Sequence, residues 1–179
     1  FFSFMGKEVL FIPGNNTQQA DYPNIMGGFR LQRAERIPVT MQWSGPPDPQ
    51  RWADQVFPQI EGRRPDIVVG HSYGGSTALV VTAGLVKEGR APQRLVLCSH
   101  SAVFADDLED PVAVQFLMEK YDAVPPEVEN VDARDLLQTV VRAPDAPTVI
   151  VMFGGDEVQV IKSRGRRSAQ IIGRNPNIV

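Results

Sequence analysis

Five short runs of β-branched and aliphatic residues, each bounded by turn residues, alternate with stretches of helical length, and that alternation leaves few folds open. The runs are EVLFIPG (Glu8 to Gly14), RIPVTMQ (Arg36 to Gln42), PDIVVG (Pro65 to Gly70), QRLVLCS (Gln93 to Ser99) and PTVIVMFGG (Pro147 to Gly155). They are apolar almost throughout, as strands are when both faces of a parallel sheet are covered. Between them the pattern predicts helices near residues 18–33, 49–61, 74–87 and 157–172. The sequence therefore predicts an α/β fold, a mostly parallel sheet flanked by helices on both faces. One compact domain over residues 5–179 is expected at this length. The first four residues, FFSF, precede Met5, do not suit the following strand and read as a remnant of expression.

One interval breaks the rhythm. Ala102 to Ala146 parts two strands by about 45 residues, more than one crossover helix requires. Helices are expected over residues 111–121 and 132–142, joined by the turn-rich DAVPPEVEN. An insertion here falls at the edge where strand carboxyl ends open and ligands bind in α/β sheets. The segment 102–146 is thus expected to be a helical lid, with Phe104, Phe116 and Leu117 facing the site beneath. Two ordinary packing helices are the alternative.

The chemistry is concentrated in DIVVGHSYGGSTALVV. Gly70-His71-Ser72-Tyr73-Gly74 fits G-x-S-x-G with an apolar strand before it and an apolar helix after it. The strand-to-helix turn is too tight for a Cβ on either side of the serine. Such a turn lifts Ser72 Oγ above the sheet edge, at a helix N-terminus that favours developing negative charge. Ser72 is the expected nucleophile.

Charge and composition remove other classes of function. A net charge of −3 with a pI near 5.4 offers no basic field for nucleic acid or anionic lipid. The one arginine cluster, KSRGRR (Lys162 to Arg167), reads as a solvated helix face. No stretch reaches the roughly 20 apolar residues that span a bilayer, and no signal peptide is read at the start. The single cysteine, Cys98, lies in an apolar run and reads as a buried thiol, which favours a cytoplasmic location.

Together with FIPGNNT (Phe11 to Thr17), the elbow resembles the α/β-hydrolase superfamily from Glu8 onward. The resemblance implies a serine hydrolase with no metal and no organic cofactor, acting on a small-molecule acyl substrate. It also implies that the backbone N–H groups of Asn15 and Tyr73 form the oxyanion hole. PG stands at Pro13-Gly14 where the family more often has HG, and the Asn15 and Asn16 side chains could instead stabilise a turn. The family's acid follows the strand after the lid. Asp156 fits it best there, with Glu157 beside it and Asp106, Asp107 and Asp110 as a third choice.

The base is the open question, because the sequence has two histidines. His71 leaves the tight turn in another direction from Ser72 and is expected to pack beside the pocket. His100 ends the strand after the nucleophile helix and could line the pocket or replace the base. The family's base follows its last strand, which from Asp156 is roughly 25 residues on, just beyond Val179. The expected activity is hydrolysis of a carboxylic ester or thioester through an acyl-enzyme on Ser72. A non-catalytic ligand-binding protein of the same fold is the alternative.

Overall fold

A computed structural model describes residues 6–44, 48–100, 111–121, 132–154 and 159–173. Each expected run contributes a strand: β1 (Glu8–Ile12), β2 (Glu35–Ile37), β3 (Ile67–His71), β4 (Arg94–Cys98) and β5 (Thr148–Met152). They form one all-parallel sheet in the order β2-β1-β3-β4-β5. Among the described residues six α-helices connect or follow them: α1 (Pro23–Leu31), α2 (Pro49–Gln59), α3 (Tyr73–Lys87), α4 (Pro111–Tyr121), α5 (Ala133–Val141) and α6 (Gln159–Ile172).

Alternate residues of each strand face opposite layers. Leu10, Ile12, Val68, Leu95, Leu97, Val149 and Val151 meet α2, α3 and α5 in the main core. Val9, Phe11, Ile67 and Val69 meet Met26 and Phe29 of α1 on the other face. Helices on both faces are what near-continuous apolar strands require, and the sheet is the expected one. At the amino ends of the strands, Asp66 acts as a hub. Its carboxylate accepts from the Glu8 N–H at 2.9 Å and from Gln93 Nε2 at 2.7 Å, and it pairs with Lys7 at 3.3 Å.

The second run behaves differently from expectation: β2 stops at Ile37, and Arg36–Gln42 is not one strand. Pro38 has no N–H to give to the ladder, so pairing with β1 ends there. Side-chain amides take over from the neighbouring strand. Gln59 accepts from the Thr40 N–H (2.8 Å) and donates to its carbonyl (2.9 Å). Gln18 clasps Met41 in the same way (3.1 and 2.7 Å), and Gln55 clasps Gln42 (2.8 and 3.1 Å).

The helix expected from Gln18 to Arg33 is also interrupted. A 3₁₀ turn (Gln19–Asp21) precedes α1, with Tyr22 between them at φ −115, ψ 60. The cause is Pro23: its ring disfavours helical geometry at the residue before it and then starts α1 at the first helical position. Two further readings change. Arg164 is fully buried, so the arginine run in α6 is not simply a solvated face. Of the expected lid, α5 sits in the body of the fold, with Leu137 and Val140 inside the main core.

Candidate active site

The turn at Ser72 has the geometry that its sequence demands. β3 ends at His71, Ser72 adopts φ 54, ψ −123, and α3 begins at Tyr73. Left-handed φ at a non-glycine residue costs about 1–3 kcal/mol and persists only where the surroundings impose it. Here the Ser72 N–H donates to the Cys98 carbonyl at 2.9 Å, and the Gly75 N–H donates to the Ser72 carbonyl at 2.9 Å. The flanking glycines permit the turn. A Cβ on Gly70 would lie 2.6 Å from Gly75 Cα, and one on Gly74 would overlap the Ile12 and Pro13 carbonyl oxygens. Ser72 is half-buried and caps a 15-residue helix, whose N-terminal dipole favours negative charge beside it.

The loop after β1 lies against this turn, and its hydrogen bonds distinguish its amides. The Gly14 N–H donates to Tyr22 OH at 3.0 Å and is therefore spent. Thr17 closes a turn on the Gly14 carbonyl through its N–H (3.2 Å) and its hydroxyl (2.6 Å). Trp43 Nε1 donates to the Thr17 carbonyl at 2.7 Å, and Asn16 takes φ 60 at the crest. Among the described residues the Asn15 N–H meets no acceptor.

Both histidines are held by other groups. His71 Nδ1 lies 2.9 Å from Tyr22 OH, and the two rings meet edge to face at 5.5 Å. His100 is buried, and its Nε2 lies 2.8 Å from Ser168 Oγ of α6. Burial, reinforced by the Arg164 guanidinium, pushes the His100 pKa down to about 3. It is neutral at physiological pH. Cys98 is the register partner of His71 on β4, and burial pushes its thiol pKa up, so it remains protonated. Among the described residues, no three His, Cys, Asp or Glu side chains gather to hold a metal ion, and no helix is long and apolar enough to cross a membrane.

The His100 environment predicts an acid-labile fold. The ring binds its proton near pH 6.5 when unfolded and near pH 3 when folded. Between those values the unfolded chain holds more protons, so this group removes about 1.4 kcal/mol of stability per pH unit as pH falls below 6.5. Above pH 6.5 its contribution is constant. Urea midpoints at pH 7, 6 and 5 are expected to decline, and His100→Gln to flatten the decline. Equal slopes in the two proteins would refute the assignment.

No protein-family model matches the sequence, and no curated protein matches it. Solved structures do match. Rv0554 from Mycobacterium tuberculosis superposes on 94% of this chain and 79% of its own, with TM-score 0.64 at 17% identity. The monoacylglycerol lipase of Paleococcus ferrophilus aligns over 93% and 80%, with TM-score 0.61 at 12% identity. An alpha/beta hydrolase from Sphaerobacter thermophilus aligns over 99% and 84%, with TM-score 0.53 at 18% identity. Esterases and type II thioesterases are among the other structural neighbours. The fold is that of the α/β-hydrolases.

Within this α/β-hydrolase sheet, β1 and β3 are adjacent, so the Asn15 loop and the Ser72 turn leave neighbouring carboxyl ends. Asp156 and Glu157 follow β5 but lie outside the described residues, as do Asp106, Asp107 and Asp110. Phe104 and the side chains of Phe116 and Leu117, expected beneath a lid, are outside them too. A cleft of about 510 Å³ bordered by Met26, Phe29, Arg30 and Arg36 is not lined by Ser72, Asn15 or Tyr73. Sequence reading gave no role to Thr17 or Tyr22. Their signals were present: a hydroxyl residue three positions after a turn glycine, and an aromatic residue directly before proline.

Proposed function

We propose that the chain is a serine hydrolase that cleaves a carboxylic ester or thioester through an acyl-enzyme on Ser72. The observation that carries the reading is the Ser72 backbone: a serine held at φ 54 between a buried strand and a helix N-terminus. Strained backbone of this kind at a strand-to-helix turn is the arrangement that exposes a nucleophilic serine at the carboxyl edge of such a sheet. The unspent Asn15 N–H on the adjoining loop supports an oxyanion site shared with the Tyr73 N–H.

In this reading Ser72 Oγ attacks the acyl carbon as its proton passes to a base, and the carbonyl oxygen takes the charge against the two N–H groups. Collapse of the tetrahedral intermediate expels the alkoxide or thiolate, which takes the proton. Water then cleaves the acyl-serine by the same route. His71 is bound to Tyr22 and His100 to Ser168, so neither is assigned as the base. Asp156 is the residue we assign to orient the base. Esterase, lipase and thioesterase neighbours support ester or thioester substrates.

A fluorophosphonate probe on the full-length protein is expected to modify Ser72, located by peptide mass. Labelling of another residue, with turnover abolished, would overturn the assignment. On the same protein Asp156→Asn is expected to lower kcat by about 10³- to 10⁴-fold, and Glu157→Gln far less. The reverse order would move the acid to Glu157.

A further inference from the structure

We infer that Thr17 is a positioning residue for the oxyanion site, at the end of a hydrogen-bond chain that runs from the nucleophile turn: His71 to Tyr22 to Thr17 to the Gly14 carbonyl. The inference rests on the acyl-transfer reading of Ser72 and Asn15.

Counting protons fixes the direction of the chain. The Thr17 hydroxyl carries one hydrogen, and its 2.6 Å contact with the Gly14 carbonyl uses it. The 3.2 Å contact between Thr17 Oγ1 and Tyr22 OH therefore needs the tyrosine hydrogen. Tyr22 oxygen then accepts twice, from the Gly14 N–H at 3.0 Å and from His71 Nδ1–H at 2.9 Å. In this arrangement every contact has one proton and the phenol uses both lone pairs. In the other histidine tautomer Tyr22 donates to Nδ1, and the Thr17–Tyr22 contact has no hydrogen. The complete arrangement places the Nδ1–H form of His71 beside Ser72.

The chain ends on the peptide that matters. Gly14 C=O and Asn15 N–H belong to one planar trans unit and point in opposite directions. Holding the carbonyl into the loop therefore aims the N–H out of it. A hydrogen bond accepted by the carbonyl also polarises the unit, which makes its N–H a stronger donor. Tyr22 fixes the preceding peptide through the Gly14 N–H, so both peptides flanking Gly14 are set before substrate arrives. Preorganisation of this kind matters most when charge appears on the carbonyl oxygen, and little when the neutral ester binds.

The test uses the full-length protein with Thr17→Val, which keeps the shape and removes the hydroxyl, and Thr17→Ser, which restores it. Thr17→Val is expected to lower kcat about tenfold, with KM changed less than about twofold, and to weaken an alkylboronic acid inhibitor by a similar factor. The Asn15 amide proton resonance is expected to move upfield in Thr17→Val and to return in Thr17→Ser. Tyr22→Phe should move it in the same direction by less. An Asn15 resonance unmoved in a folded Thr17→Val protein overturns the proposal, as does a raised KM with kcat unchanged. The resonance judges the chain without turnover, so full activity in Ser72→Ala would reject the acyl-enzyme reading alone.

Discussion

Ser72→Ala in the full-length protein is expected to lower the turnover of activated acyl esters by about 10⁴- to 10⁶-fold. In the proposed mechanism removing the Oγ ends the covalent route, and what remains is whatever the proposed oxyanion N–H groups and substrate binding achieve with water. That residue of activity can still exceed the uncatalysed rate by about 10³-fold, so the comparison must be made with wild-type protein rather than with buffer. KM should change little, since the serine contributes to the transition state more than to the bound ester. Ser72→Gly supplies a second readout. Glycine tolerates φ 54, ψ −123 without the cost that serine bears there, so this variant should be at least as stable as wild type while equally inactive. A Ser72→Ala protein within tenfold of wild type would remove Ser72 from the mechanism.

Gly74→Ala is expected to cost about 10²- to 10³-fold in kcat, together with a lowered melting temperature. The added methyl would overlap the carbonyl oxygens of Ile12 and Pro13, the two residues that lead into the Asn15 loop. Backbone oxygens cannot rotate out of the way as a side-chain tip can. The loop and the first turn of α3 must move apart, and the oxyanion site proposed for the Asn15 and Tyr73 N–H groups would be lost. Labelling of Ser72 by a fluorophosphonate should slow in proportion, because that reaction uses the same oxyanion site. Gly27 provides the control, since a Cβ there would meet nothing within 4 Å. Gly27→Ala should leave both rate constants near wild type. Equal behaviour of the two alanine variants would contradict this account of the elbow.

The sheet and the elbow were legible because both depend on local signals. Apolar runs such as Val9–Ile12 and Ile67–Val69 can only be strands buried on both faces, and a glycine-flanked serine between strand and helix has few other geometries. Competition between local propensity and tertiary partners was not legible. Val39–Gln42 is as β-prone as its neighbours, yet Pro38 ends the ladder and three glutamines distant in sequence complete the backbone of Thr40, Met41 and Gln42. His100 looked eligible as a base from its position at a strand end. Only the packing of Ser168 and Arg164 around it shows a buried, neutral ring. Arg164 misled for the related reason that composition cannot tell a buried cation from a solvated one.

The three glutamine clasps also bear on how the protein coexists with copies of itself. β2 is an edge strand, and an extended edge with open N–H and C=O groups can template a strand from another molecule. Beyond Ile37 the chain runs on as PVTMQW, the kind of β-prone string that seeds intermolecular sheets. At Thr40, Met41 and Gln42 both backbone groups of each residue are already taken by Gln59, Gln18 and Gln55. The ladder proper is three residues long and exposes Glu35 and Arg36 at its margin. Side-chain amides thus do for Thr40 to Gln42 what another strand would do in a wider sheet, and they shorten the border open to an approaching chain.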